Sequence, residues 1–125
     1  MTAHVIYPEM DEQPPTFSHY WLQTVLREQL GYKGLIFSDD LSMEGAKVAG
    51  GPNDRAKAAM NAGCDVILVC NDTPALDEVI NGLPADKLQL PGERLDAFAP
   101  KIQIAPDLKQ STDWQQAVES VRALA

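Results

Sequence analysis

Apolar residues along this chain fall into two alternating patterns. Short unbroken runs, Leu35-Ile-Phe37 and Val66-Ile-Leu-Val69, stand between stretches where apolar positions recur every three or four residues. Unbroken runs of this length suit strands of a parallel sheet covered on both faces, and the wider spacing suits amphipathic helices. The first helix is expected from about His19 to Leu30, with Leu22, Val25, Leu26 and Leu30 on one face. Ser18 is a fair N-cap for it and Gly31 a fair stop. A strand follows over residues 34–38, and a helix opens near Leu41 or Ser42 and breaks at Gly50-Gly-Pro52. It resumes from Asn53 with Ala56, Ala59 and Met60 inward, and ends at Gly63. The next strand is Asp65 to Val69, and Thr73 caps a helix from Pro74 to Asn81.

Before these units, Ala3-His-Val-Ile-Tyr7 reads as the tail of a strand, and Pro8 to Pro15 as a loop with three prolines and no periodicity. After residue 83 no convincing strand appears. Pro91 to Lys101 and Thr112 to Leu124 read as terminal helices joined through a loop with Pro106. The order strand, helix, three times over, defines an α/β chain with a parallel sheet. Three strands close poorly on themselves, and a (β/α)8 barrel takes about 250 residues. The expected fold is therefore a partial barrel: the last three βα units in residues 1–85, then carboxyl-terminal helices in 86–125. Met1 is expected to be an internal methionine of a longer parent.

Composition narrows the function. The chain has 125 residues, 45% hydrophobic and 22% charged, with a formal net charge of −8. That is the balance of a globular domain. No Lys/Arg cluster offers the basic surface that phosphate contacts need, so nucleic-acid binding is not expected. No apolar run approaches the roughly 20 residues needed to cross a bilayer, and Met1-Thr-Ala-His4 lacks the basic and apolar regions of a secretory signal. Cys64 and Cys70 bracket one strand, too far apart for a disulfide and off any common zinc spacing. Buried thiols in a reducing cytoplasm fit them best.

The candidate chemistry sits in Gly34-Leu-Ile-Phe-Ser-Asp-Asp-Leu-Ser-Met43. In parallel α/β sheets, ligands bind beyond the carboxyl ends of the strands, where Ser38, Asp39 and Asp40 fall. Successive strand side chains point to opposite faces, so Asp39 and Asp40 are expected to diverge. Asp40 or Ser42 serves equally well as a cap for the following helix. Spacing alone leaves the cap and the active-site readings both open.

The longer segment Val25-Leu-Arg-Glu-Gln-Leu-Gly-Tyr-Lys-Gly-Leu-Ile-Phe-Ser-Asp-Asp-Leu-Ser42 resembles the active-site signature of family 3 glycoside hydrolases. Met1-Thr-Ala-His-Val-Ile-Tyr-Pro8 and Ala62-Gly-Cys-Asp-Val-Ile-Leu-Val-Cys-Asn71 resemble flanking strands of its bacterial cytoplasmic β-N-acetylglucosaminidases, which recycle cell-wall fragments. The resemblance covers residues 1–85 closely and the tail loosely. It implies a (β/α)8 barrel that cleaves terminal β-linked N-acetylglucosamine from muropeptides with retention of configuration. It implies Asp39 as the nucleophile. An aspartate with an ordinary pKa of ~3.9 is ionised at neutral pH and can attack the anomeric carbon to give a covalent glycosyl-enzyme. No metal or organic cofactor is implied.

The family's proton donor in this branch is a histidine on a mobile loop well before the nucleophile. Nothing in residues 1–33 matches that loop, and the basic residues that hold the sugar come from earlier strands. Asp40, His4 and Met43 remain as pocket-lining or supporting residues; His4 reads more readily as a structural histidine, and His19 as a capping or solvated one. The chain alone is expected to be inactive and, through its open sheet edge, to associate with itself or with a complementary amino-terminal polypeptide. Two other classes compete. A non-catalytic interaction fragment keeps the same surface without the chemistry. A receiver-like phosphoacceptor domain shares the length and the acidic pair, but its pair follows the first strand, and no suitably placed third Asp or Lys appears.

Overall fold

Two parallel strands, β1 (Phe37–Asp40) and β2 (Val66–Leu68), carry the chain's only ladder among the described residues, which are 1–84, 92–99 and 107–124 of a computed structural model. Phe37 pairs with Val66 and Asp40 with Leu68, with an irregularity between. Its cause is Ser38. The side chain is fully buried, and its Oγ accepts the Leu68 N–H at 2.9 Å, where a regular ladder would use a backbone carbonyl. Replacing Ser38 with alanine would strand that amide. The expected cost is about 1–3 kcal/mol, read as a lower urea midpoint at unchanged slope; a cost below about 0.5 kcal/mol would mean that solvent satisfies the amide instead.

Among the described residues the sheet has two strands, where three were expected. Residues 1–6 form no strand and touch the sheet through one ladder-like bond, Thr2 N–H to the Phe37 carbonyl at 2.9 Å. The turn beyond is closed by a bridge between Tyr7 and Asp11. The Asp11 carboxylate also takes the Ser18 hydroxyl, which holds it below the usual carboxylate range. Burial follows the missing neighbours. Leu35 and Ile36 are buried, but all three residues of β2 are only half-buried, so the two covered faces expected from the apolar runs are not realised within this chain.

Among the described residues four α-helices accompany the sheet: α1 (Pro52–Ala62), α2 (Thr73–Gly82), α3 (Gly92–Phe98) and α4 (Thr112–Arg122). α1 packs on both α2 and β2, placing Ala56 and Ala59 in the core beside Val79 and Leu83. Gly63 ends α1 at φ 121°, a left-handed backbone that suits glycine alone; a Cβ there would also collide with Gln23. Asp72 caps α2, its Oδ1 accepting from Ala75 N–H at 3.0 Å, and Thr73 is the helix's first residue rather than its cap. α3 lays Phe98 against Phe37, ring centroids 5.6 Å apart. Pro91, Lys101 and the Pro106 connection lie outside the described residues.

The first helix departs from expectation in its winding. Tyr20–Gln29 is a π-helix, continued by i→i+5 bonds such as Leu30 N–H to Val25 O at 3.0 Å. Ser18 does cap its start, accepting from Trp21 N–H at 3.0 Å. A stripe at every third or fourth position presumes 3.6 residues per turn. Leu30, expected on that stripe, is the C-cap beyond the last helical residue and is 71% exposed, while Leu22 stays buried. Between β1 and α1 a short 3-10 helix, Glu44–Ala49, replaces the helix expected from Leu41.

A buried ion cluster holds the amino-terminal ends of the strands. Asp65, just before β2, takes Arg27 Nη2 at 2.7 Å and Ile36 N–H at 2.8 Å on one oxygen and pairs with Arg94 of α3 through the other. Arg27 Nη1 donates to the carbonyls of Tyr32 and Gly34 at 2.9 and 2.6 Å.

Candidate active site

At the opposite, carboxyl end of β1 the two adjacent aspartates separate, as strand alternation requires. Asp39 is half-buried; its own N–H donates to Thr2 Oγ1 at 3.1 Å, and its Oδ1 accepts the Asp40 N–H at 2.8 Å. Thr2 Oγ1 lies 2.8 Å from the hydroxyl of fully buried Thr16, which donates to the Ala3 carbonyl. The Asp39 backbone is thus tied through Thr2 to the core. Its Oδ2 has no hydrogen-bond partner among the described residues.

Asp40 turns the other way and caps no helix. Oδ1 accepts Ser42 N–H and Cys70 N–H, each at 2.9 Å, and Oδ2 accepts the Ser42 hydroxyl at 2.7 Å. Ser42 Oγ is also 3.0 Å from the Cys70 carbonyl. One carboxylate therefore joins the loops that leave both strands. Burial alone would push its pKa up. The amide bonds from Cys70 and Ser42, the Ser42 hydroxyl and the nearby His4 outweigh that and hold it below the usual carboxylate range.

His4 serves this turn structurally. Its Nε2 lies 3.1 Å from the Asp40 carbonyl, and its ring stacks on Phe17 at 5.5 Å. Met43 is 46% exposed, and its N–H closes the turn on the Asp40 carbonyl at 3.1 Å. Three participants are not marked as site residues by the sequence pattern: Thr2, Ser42 as an Asp40 partner, and Cys70. The signal for Thr2 is its place in the Met1–Pro8 segment that resembles a flanking strand of the family; nothing in the sequence points to Cys70, whose contribution is its main chain. Cys70 is exposed, not buried as expected, whereas burial pushes the Cys64 thiol up to about 12.

A cavity of about 150 Å³ opens beside these loops, lined by Ser42, Arg55, Val69 and Asp72 among others. Asp39 does not line it. Among the described residues no three His, Cys, Asp or Glu side chains gather as a metal site.

The carboxylate with a free oxygen stands at the carboxyl end of a parallel strand, the end at which α/β proteins carry their sites. The particular family follows from its sequence: residues 1–105 match the glycosyl hydrolase family 3 N-terminal domain, and the chain belongs to that family. Beta-hexosaminidase of Vibrio cholerae is 49% identical over 125 residues, covering 99% of this chain and 37% of the relative. That of Tolumonas auensis is 58% identical over 83 residues, 66% of this chain and 25% of its own length. Among solved structures, NagZ from Neisseria gonorrhoeae in complex with N-trifluoroacetyl-D-glucosamine superposes with a TM-score of 0.76 at 39% identity. The match covers all of this chain and 37% of that one. A family 3 β-N-acetylglucosaminidase from a Paenibacillus strain gives 0.66 at 26%, covering 97% and 27%. The matches thus span between a quarter and little more than a third of the length of these relatives.

Proposed function

We propose that the chain is the nucleophile-bearing, carboxyl-terminal portion of a retaining β-N-acetylhexosaminidase barrel, the last βα units followed by the terminal helices. The observation that carries the reading is Asp39. It stands at the carboxyl end of β1 in a chain that belongs to family 3, with one oxygen held by a backbone amide and the other without a partner among the described residues. In the proposed reaction Asp39 Oδ2 attacks the anomeric carbon of a terminal β-linked N-acetylglucosamine. The anomeric C–O bond breaks as an ester bond to Asp39 forms, and the leaving oxygen takes a proton. Water then attacks the same carbon, freeing the sugar with its configuration retained and restoring the carboxylate. The substrate is a muropeptide in the cytoplasm, as the family resemblance implies; no helix of the described residues is long and apolar enough to cross a membrane.

The proton donor belongs to polypeptide outside this sequence. His4 is the histidine nearest the site, and its Nε2 is engaged by the Asp40 carbonyl. A retaining donor carboxylate would stand roughly 5–5.5 Å from the nucleophile, and Asp40 is turned onto Ser42 and Cys70. The half-buried faces of β2 and the exposed apolar stripe Trp114, Val121 and Leu124 fit a fold completed by further chain. A chromogenic N-acetylglucosaminide tests the reading. The 125-residue chain alone is expected to give no turnover above background. Turnover by the chain alone, abolished by Asp39→Asn, would overturn the assignment of the donor to other polypeptide.

A further inference from the structure

The nucleophile's orientation depends on a residue that never needs to touch the substrate. Asp39 Oδ1 is held by one protein donor among the described residues, the N–H of Asp40. An N–H points where its peptide plane points, so whatever fixes that plane fixes the carboxylate. The sheet holds the next peptide, through Leu41 N–H to the Leu68 carbonyl at 2.9 Å, but is less regular just before it. The ladder is irregular between Phe37 and Asp40, and Ser38 uses its side chain where a backbone carbonyl would stand. Beside that ladder bond, residue 40 has anchors of its own: the carboxylate takes three donors, Ser42 N–H, Ser42 Oγ–H and Cys70 N–H, and the carbonyl takes His4 Nε2 and Met43 N–H.

We propose that Asp40 is a positioning residue: by bridging the loops after β1 and β2, its carboxylate locks the peptide whose N–H orients Asp39. The inference rests on Asp39 as nucleophile for its meaning, but not for its test. Geometry rather than charge does the work. The two amides converge on a single oxygen from loops far apart in sequence, Cys70 lying 30 residues beyond Asp40, so an acceptor must sit at one point. Moving a charge-bearing carboxylate by one methylene would break the bridge while keeping the charge.

The test reads the χ1 order of Asp39 in the full 125-residue chain, without substrate, from three-bond couplings of its side-chain carboxyl carbon. Amide exchange at Cys70 is followed alongside. Asp40→Asn keeps an oxygen for both amides and is expected to leave Asp39 in one rotamer and Cys70 protected. Asp40→Glu is expected to average the Asp39 rotamers and speed Cys70 exchange about tenfold, the loss of one hydrogen bond to a charged acceptor. Asp40→Ala is expected to do the same. Should the alanine variant unfold, shown by loss of protection at core Ile36, the Asn and Glu pair carries the comparison. A single fixed Asp39 rotamer in Asp40→Glu, with Cys70 deprotected, would overturn the proposal. So would an Asp40→Asn variant that loses Asp39 order, since charge would then be the agent. Failure of the nucleophile reading shows elsewhere, as absence of any covalent glycosyl adduct on Asp39.

Discussion

Asp65→Ala is expected to destabilise the chain by about 3–5 kcal/mol, the cost of leaving a buried charge without its partner. Arg27 is 11% exposed at its side chain and Asp65 7%, so neither has water to fall back on. Asp65 also accepts the Ile36 amide and anchors α3 through Arg94, so its loss removes bonds on three segments at once. A domain holding only about 5–15 kcal/mol in total would lose a large share of its folded population. The diagnostic is a double change. Arg27→Met alone leaves Asp65 with Arg94 as its charged partner, whereas Arg27→Met with Asp65→Ala removes both members of the buried pair, and the double change is expected to be less destabilising than the sum of the singles. Urea unfolding of the four proteins measures this. Additive costs would show that the two groups do not meet in solution.

That cluster is not visible in the sequence because its members are far apart along it. Arg27 stands there as one basic position in a signature and Asp65 as the first residue of a strand; 38 positions separate them. What is legible is local. Ser18 as a cap, Gly31 and Gly63 as stops, and Ala56 and Ala59 as an inward pair all follow from backbone rules that act within a few residues. Expectation and structure part where non-local geometry decides. The π winding of Tyr20–Gln29 is invisible to a pattern that assumes a regular helix, and Leu30, expected on the buried face, is its exposed C-cap. Asp72 and Thr73 are both good caps by composition, and only the turn leaving β2 selects Asp72.

The strand expected near Ala3 shows a different limit. The residues have strand character, but a ladder needs a partner along its length, and the segment contributes a single bond to Phe37. Continuous apolar runs in turn announce two covered faces, and β2 is half-exposed. Both signals describe a larger fold than the 37% of the Vibrio relative's length present here. The sequence pattern therefore speaks of strands covered on both faces, while the described residues leave β2 half-exposed. At the site the same division holds. Asp39 is legible from the family motif, whereas the bonds that hold it, from Thr2 and from the Asp40 peptide, are not.

When the chain is combined with a polypeptide matching the remainder of the relatives, hydrolysis of a chromogenic N-acetylglucosaminide is expected to appear. Asp39→Asn in that mixture is expected to lower kcat on the order of 10⁴- to 10⁶-fold, the span for losing a nucleophile or its orienting partner. The amide nitrogen of asparagine cannot form the ester, yet the side chain keeps its shape, so Asp40 N–H retains an acceptor and folding is expected to be undisturbed. This separates chemistry from assembly: the variant should still bind the complementary polypeptide with unchanged affinity. Ser42→Ala, which removes one of the Asp40 donors and leaves both amides, is expected to cost far less. Trapping supplies the decisive measurement. A fluorinated N-acetylglucosaminide that slows the second step should leave one sugar adduct per chain on the peptide containing Asp39 and none in the variant. An adduct on another carboxylate, or undiminished turnover by Asp39→Asn, would assign the nucleophile elsewhere. The first outcome would keep the retaining mechanism and move its residue, and the second would remove Asp39 from the mechanism altogether.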